Sequence, residues 1–191
     1  MLTYFSRFNA NRSCKRAAIP GVIVMNKPVG LDSKVVREAF GHFPSGVAAI
    51  AAVHCEKPHV IVASSFSAGV SLEPPLAAFF VQKTSSTWSE LSKASRLGVS
   101  ILSVEHTAIC RQLASKDKDA RFQDIETITT DDGALHILGA SLWFDCSIFD
   151  VHPAGDHYAI QLLIHDLSLR RETAPLIFHG SRFTRLAAQP A

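Results

Sequence analysis

Cysteine is scarce in this chain and never closely paired. The four cysteines, Cys14, Cys55, Cys110 and Cys146, lie far apart with no C-x-x-C spacing. That excludes a disulfide scaffold and a zinc ribbon and fits a reduced, cytoplasmic protein. Charge is scarce too: Lys, Arg, Asp and Glu make up 19% of the residues and nearly cancel, leaving a formal net charge of +2. Such a balance carries no electrostatic footprint for a nucleic acid. No apolar run reaches the roughly 18 to 20 residues of a membrane span. The ten glycines are scattered, and G-x-G-x-x-G, G-x-x-x-x-G-K-[ST] and G-x-S-x-G are all missing. A Rossmann dinucleotide site, a P-loop and a hydrolase elbow are thereby excluded. The nine histidines form no H-E-x-x-H, and His54 and His59 stand apart in a strand-loop stretch. No metal site is expected.

What is present suits one globular domain: 191 residues, 47% of them hydrophobic, enough for a core of its own. Residues 1–31 show no apolar periodicity. Arg7, Arg12, Lys15, Arg16 and Lys27 precede the first acidic residue, Asp32, which mimics a targeting peptide. The apolar piece that follows, Ile19 to Met25, is short and broken by Pro20 and Gly21. A flexible N-terminal arm, or a true start at Met25, is expected rather than export. The domain itself is expected over 32–187.

Ser33 is placed to cap a helix through Val35, Val36, Ala39 and Phe40. From Val47 the pattern turns to strands: 46–53, 59–63 and 76–81 are short apolar runs divided by Pro, Gly and Ser. Thr87 and Glu90 have capping-box spacing ahead of Trp88, Leu91 and Ala94, so a helix is expected there. A strand over 97–102, a helix over 105–114, and two strands over 141–151 and 157–169 around a Gly155-Asp156 turn follow. Short stretches at 176–178 and 183–186 close the chain. Lys116 to Asp119 alternates in sign and reads as a solvated turn. Many short strands with about three helices point to a β-barrel with helical additions rather than βαβ units.

Two stretches stand out chemically. In Val62 to Leu76 a strand runs into small residues and serines, then a Pro-Pro corner, then another strand. Small side chains let a flat ligand lie against the backbone while main-chain groups and serine hydroxyls read its polar edge. In Val81-Gln82-Lys83-Thr84-Ser85-Ser86-Thr87-Trp88 a strand ends in a cation and hydroxyls at an expected helix start, a combination suited to phosphate.

Together these stretches resemble the flavin reductase-like family, the reductase components of two-component flavin monooxygenases. Ala63-Ser64-Ser65-Phe66 and Val70-Ser71-Leu72-Glu73-Pro74-Pro75-Leu76 match its central motif, with one extra residue between them. Further matches come in the family's order: Phe43 to Val47, Ser85 to Leu91, Val99 to Leu102, Arg121-Phe122, Leu138 to Ala140, Gly155-Asp156-His157, and Pro175 to His179. The resemblance spans roughly residues 35 to 186 and implies a mainly β fold with added helices, a six-stranded antiparallel split β-barrel of the FMN-binding type that forms a homodimer. It implies an NAD(P)H:flavin oxidoreductase that takes NADH or NADPH and FMN or FAD and supplies a partner monooxygenase.

Carried over by position, Ala63, Ser64, Ser65 and Phe66 would meet the flavin ring and ribityl chain. Gln82, Lys83, Ser85 and Thr87 would lie near its phosphate, with Trp88 packed beside it, and His157 would sit near the nicotinamide as the catalytic candidate. Val60 and Val62 stand where the family usually has Gly and Thr, and Leu162 replaces a common Gly. The C-terminal Tyr-His-x-Gly-x-Tyr pattern becomes Phe178-His179-Gly180-Ser181-Arg182-Phe183. These departures bear on flavin affinity and nucleotide preference, not on fold. A split-barrel oxidase that keeps its FMN, and a non-catalytic flavin-binding protein, are the competing readings.

Overall fold

The computed structural model describes residues 32–187; the arm expected over 1–31, with Cys14, lies outside them. In chain order the elements are helix α1 (Ser33–Gly41), strands β1 (Ser45–Gly46), β2 (Ala48–His54), β3 (Lys57–Ala63), β4 (Ser67–Leu72) and β5 (Pro75–Gln82), and helix α2 (Trp88–Leu91). Then come β6 (Leu97–Ile101), a 3-10 turn (Val104–His106), α3 (Thr107–Leu113), β7 (Thr127–Thr129), β8 (Leu135–Ile137), β9 (Leu142–Ala154), β10 (His157–Leu169), β11 (Ile177–His179) and β12 (Arg182–Thr184). The fold is mainly β with few helices.

Seven strands form one antiparallel sheet in the order β3-β2-β6-β9-β10-β5-β4, one more than expected. The additional strand is β4, whose serines and glycine read as loop in the sequence. β3 and β4 are the two edges of that sheet, yet only Ser64, Ser65 and Phe66 join them. The four steps from Ala63 to Ser67 reach about 14 Å, while seven strands laid flat span about 29 Å. The sheet must therefore curl until its edges come together. No ladder links β3 to β4 among the described residues, so the curl stays open.

Alternation within the strands makes two cores. Ala48 and Ile50 of β2, Ala63 of β3, Phe79 of β5, Val99 of β6, Phe144 of β9 and Ile160 of β10 fill the inside of the curl, and Trp88 and Leu91 of α2 pack among them. Ala49, Ala51 and Val60 face the other way, against Cys110 and Leu113 of α3, Leu135 and Ile137 of β8, and Leu176. β2 is thus buried on both faces, which explains its alanines. Gly98 shows how close the outer layer comes: a Cβ there would stand 2.3 Å from the Leu135 carbonyl oxygen. The 155–156 turn appears as expected, with Gly155 in the left-handed region at φ 62°.

The first two helices begin differently from what their capping residues suggest. Asp32, not Ser33, caps α1, its carboxylate accepting the Lys34 N–H at 2.8 Å. The helix at 87–94 is a single turn, Trp88–Leu91, and Thr87 makes no side-chain cap. Instead Ser85 Oγ accepts the Trp88 N–H at 3.2 Å. Burial also explains the family departures: Val60 and Leu162 are 1% and 0% exposed, filling core that Gly would leave empty.

Candidate functional site

The connection between the sheet edges is held by Ser65. Its hydroxyl donates to the Phe80 carbonyl and accepts the Phe80 N–H, both at 3.1 Å, standing in for a missing rung of the ladder. This bond lays Ser64, Ser65 and Phe66 against β5 two residues short of Gln82. Ser64 is exposed; Phe66 is half-buried and packs its ring 6.0 Å from that of Phe144. The Ala63 side chain points into the inner core at 6% exposure, so only its main chain is free to meet a flat ring.

The end of β5 carries the second group. Gln82 is opposite His157 in the β5–β10 ladder, and the Lys83 N–H donates to the Asp156 carbonyl at 3.0 Å. Both side chains are exposed, and Lys83 Nζ lies 5.6 Å from the centre of the Tyr158 ring. His157 Nδ1 and Asp156 Oδ1 are 2.7 Å apart. This hydrogen bond holds the Asp156 carboxyl below its ordinary pKa and fixes the imidazole at one nitrogen, leaving Nε2 as the ring's remaining polar edge. The structure therefore brings Gln82, Lys83 and His157 together at one end of the sheet.

The expected helix-start phosphate site changes in detail. The N–H groups of Ser85, Trp88, Ser89 and Glu90 all bond within the protein. Thr87 is buried, and its hydroxyl accepts from Arg121 at 3.2 Å; Trp88 is buried too, edge-on to Phe79 with ring centres 5.7 Å apart. These two side chains build the core beneath the surface rather than the surface itself. What the corner does offer is side chains: Lys83, and Lys118 Nζ donating to Ser86 Oγ at 2.8 Å.

Sequence reasoning gave no role to Arg121 or Lys118. Arg121 ties three segments together, donating to the carbonyls of Ser115 at 2.8 Å and Val60 at 3.0 Å as well as to Thr87. Burial lowers its pKa from the ordinary value, though a guanidinium stays charged. The alternating run that holds Lys118 looked like a solvated turn, and only the fold carries that lysine to Ser86. Ser64 also borders a cleft of about 210 Å³ whose walls include Val62, Arg111, Phe178 and Phe183. The Arg111 guanidinium stands 5.7 Å from the Phe183 ring centre.

Cys55, Cys110 and Cys146 are free, and burial pushes the Cys110 and Cys146 thiols up to about 11 and about 12, respectively. Among the described residues no group of His, Cys, Asp or Glu is arranged to hold a metal ion. No helix among them is long and apolar enough to cross a membrane.

With this geometry in hand, the chain compares closely with known proteins. A flavin reductase from Pseudomonas putida is 32% identical over 159 residues, 83% of this chain and 92% of its own length. The structure of a nitrilotriacetate monooxygenase component B homologue from Mycobacterium thermoresistibile superimposes with a TM-score of 0.77 at 31% identity, covering 83% of this chain and 90% of that one. An NADH:FAD oxidoreductase from Streptomyces globisporus, solved with NAD and FAD fragments, gives 0.75 at 27% identity over 81% and 93%. The family model described as "Flavin reductase like domain" matches residues 40–187, and the chain belongs to that family.

Proposed function

We propose that this chain is an NAD(P)H-dependent flavin reductase that passes a hydride to FMN or FAD and supplies the reduced flavin to a separate monooxygenase. The observation that carries this reading is the juxtaposition made by Ser65, which sets Ser64–Phe66 beside the end of β5 that leads into Gln82 and Lys83, with His157 opposite Gln82 on β10. The residues present fit a flavin: flat apolar walls at Phe178 and Phe183, a small-residue main chain at 63–65, and lysines with hydroxyls at 83–86 and 118. When bound, the nicotinamide and flavin supply the hydride donor and acceptor. The protein's work is to hold two rings at reacting distance and keep water out.

In this scheme Lys83, Ser85 and Ser86, with Lys118, hold the phosphate, and Arg121 keeps Thr87 and β3 in place beneath them. The main chain at Ala63 and the Ser64 hydroxyl read the ring edge. His157, oriented by Asp156, hydrogen-bonds the nicotinamide side. A second copy completes a split barrel by covering Val70, Leu72, Phe80, Phe149 and Val151, large apolar side chains that the sheet leaves exposed. The domain is 32–187, residues 1 to about 25 are dispensable, and the exposed free thiol of Cys55 suits the cytoplasm.

Anaerobic mixing of the purified protein with FMN or FAD and each nicotinamide tests the activity. Bleaching of flavin absorbance near about 450 nm is expected with at least one pairing. Absence of bleaching with all four pairings overturns the reading. Sedimentation showing a stable, flavin-competent monomer overturns the dimer.

A further inference from the structure

A second cleft, of about 200 Å³, lies between the β7–β8 hairpin and the outer ends of β9 and β10. Counting along β10 from His157 to Asp166 at ~3.3 Å per residue puts it about 30 Å from the reductase corner. Nothing in the proposed flavin chemistry uses it. Asp145 and Asp166 both line it and are direct register partners across β9 and β10. Like charges in that position repel. Arg96 compensates one of them, its guanidinium 3.2 Å from Asp145 Oδ1. Asp166 accepts only the N–H of the next residue, Leu167, at 2.8 Å, so its charge has no counter-ion among the described residues.

Two aromatic side chains complete the wall. Trp143 is fixed by its indole N–H, which donates to the Ile137 carbonyl at 2.9 Å, and its ring lies 5.3 Å from that of His136. His136 is 5% exposed, and its Nδ1 is buried with no hydrogen-bond partner. The His136 side chain thus lines the cleft while one of its ring nitrogens is short of a partner, at a cost in stability. Burial lowers the His136 pKa, so the imidazole is neutral and adds no positive charge to the cleft.

We propose that this cleft binds an organic ammonium ion. The Asp166 carboxylate supplies the counter-charge, the Trp143 face the cation–π surface, and Ile128 the contact for an alkyl chain. The uncompensated Asp166 carboxylate disfavours an anion. A metal ion is disfavoured because the described residues hold no converging set of three ligands for one. A free amine and the lysine side chain of another protein share the ammonium chemistry.

The test is calorimetric titration of the full chain, at fixed ionic strength, with n-butylammonium, Nα-acetyl-lysine amide and uncharged 1-butanol. Saturable binding of at least one cation and none of 1-butanol is expected. Tighter n-butylammonium identifies a free amine as the source; tighter acetyl-lysine amide identifies a protein side chain. Asp166→Asn, at an exposed position, should weaken the cation about tenfold or more with flavin reduction unchanged, and Trp143→Phe should weaken it by a smaller factor. Failure of both cations to saturate overturns the proposal. So does 1-butanol binding as tightly as n-butylammonium, or an affinity that neither substitution changes.

Discussion

β2 and β4 are both built from small residues, Ala48-Ala49-Ile50-Ala51-Ala52 in one and Ser67-Ala68-Gly69-Val70-Ser71 in the other, and the fold uses them in opposite ways. The first five residues of β2 are all buried, while in β4 every residue but the half-buried Ser71 is exposed. In β2 small side chains let two packed layers close on one strand, the inner core on one side and α3 with β8 on the other. In β4 they leave an edge whose pairing to β5 holds at Ser67, Ser71 and Leu72 and is irregular between. Small size thus serves close packing where the chain's own apolar layers cover it, and open backbone where none of them does.

The sharpest way to break this comparison is to add bulk on each side of it. Gly98 is the register partner of Ala51, and its Cβ would meet three Leu135 backbone atoms at 2.3, 2.7 and 2.8 Å. Backbone cannot step aside as a side chain can, so Gly98→Ala should cost about 3 kcal/mol or more in denaturant unfolding. Ala51→Leu should cost ~1 to 3 kcal/mol by overpacking, whereas Ala68→Leu in β4 should stay within about 0.5 kcal/mol. Equal losses at positions 51 and 68 would erase the distinction.

The flavin corner offers a change of function without a change of fold. Lys83→Ala should weaken FMN by about 1 to 3 kcal/mol and riboflavin much less, with unfolding unaffected. Equal losses for both ligands would remove the phosphate role. Ser65→Ala should behave differently, costing about 1 kcal/mol of stability because it frees the Phe80 N–H and carbonyl at a partly exposed site. Measuring unfolding and flavin titration on both variants separates a ligand contact from a structural tie.

The smallest effect is with pH. His106 is buried, with Nδ1 accepting the Ser103 N–H at 3.3 Å, and burial lowers its pKa as it does that of His136. With the folded pKa values below the unfolded value of about 6.5, the unfolded chain takes up protons first as pH falls. Stability is thus complete above that pH and declines below it. Melting profiles should show the decline, and His136→Phe should flatten it; a profile unchanged by that substitution would remove His136 from the account.

Much of the fold was legible because its strands advertise themselves. The runs at 48–54, 57–63, 75–82 and 97–101 and the long pair at 142–169 are apolar where they are buried, and the glycine of the 155–156 turn sits where the chain must reverse. β4 was not legible: serine and glycine at an edge that the chain's own layers leave exposed carry no alternation to read. The Thr87–Glu90 spacing suggested a cap, but Thr87 is helical in conformation and turns its hydroxyl to Arg121, which lies 34 residues away in sequence. In the site, Gln82, Lys83 and His157 lie together at one end of the sheet, a pairing of β5 with β10 that the motifs alone do not show. Lys118, Arg121 and the Ser64–Arg111–Phe183 cleft depend on segments that only the curl of the sheet brings near.

The open seam between β3 and β4 separates two properties that a closed barrel would couple. Hydrogen bonds hold the strands on either side, but across the seam itself the contacts are a three-residue strap and side chains. Parting it breaks no ladder, so the seam can breathe far below the free energy of global unfolding. Amide hydrogen exchange should register this as weak protection in β4 beside strong protection in β2 and β6. A ligand that enters and leaves along such a seam can come and go without loosening the core. That suits the flavin reductase proposed above, whose product, reduced flavin, leaves the protein.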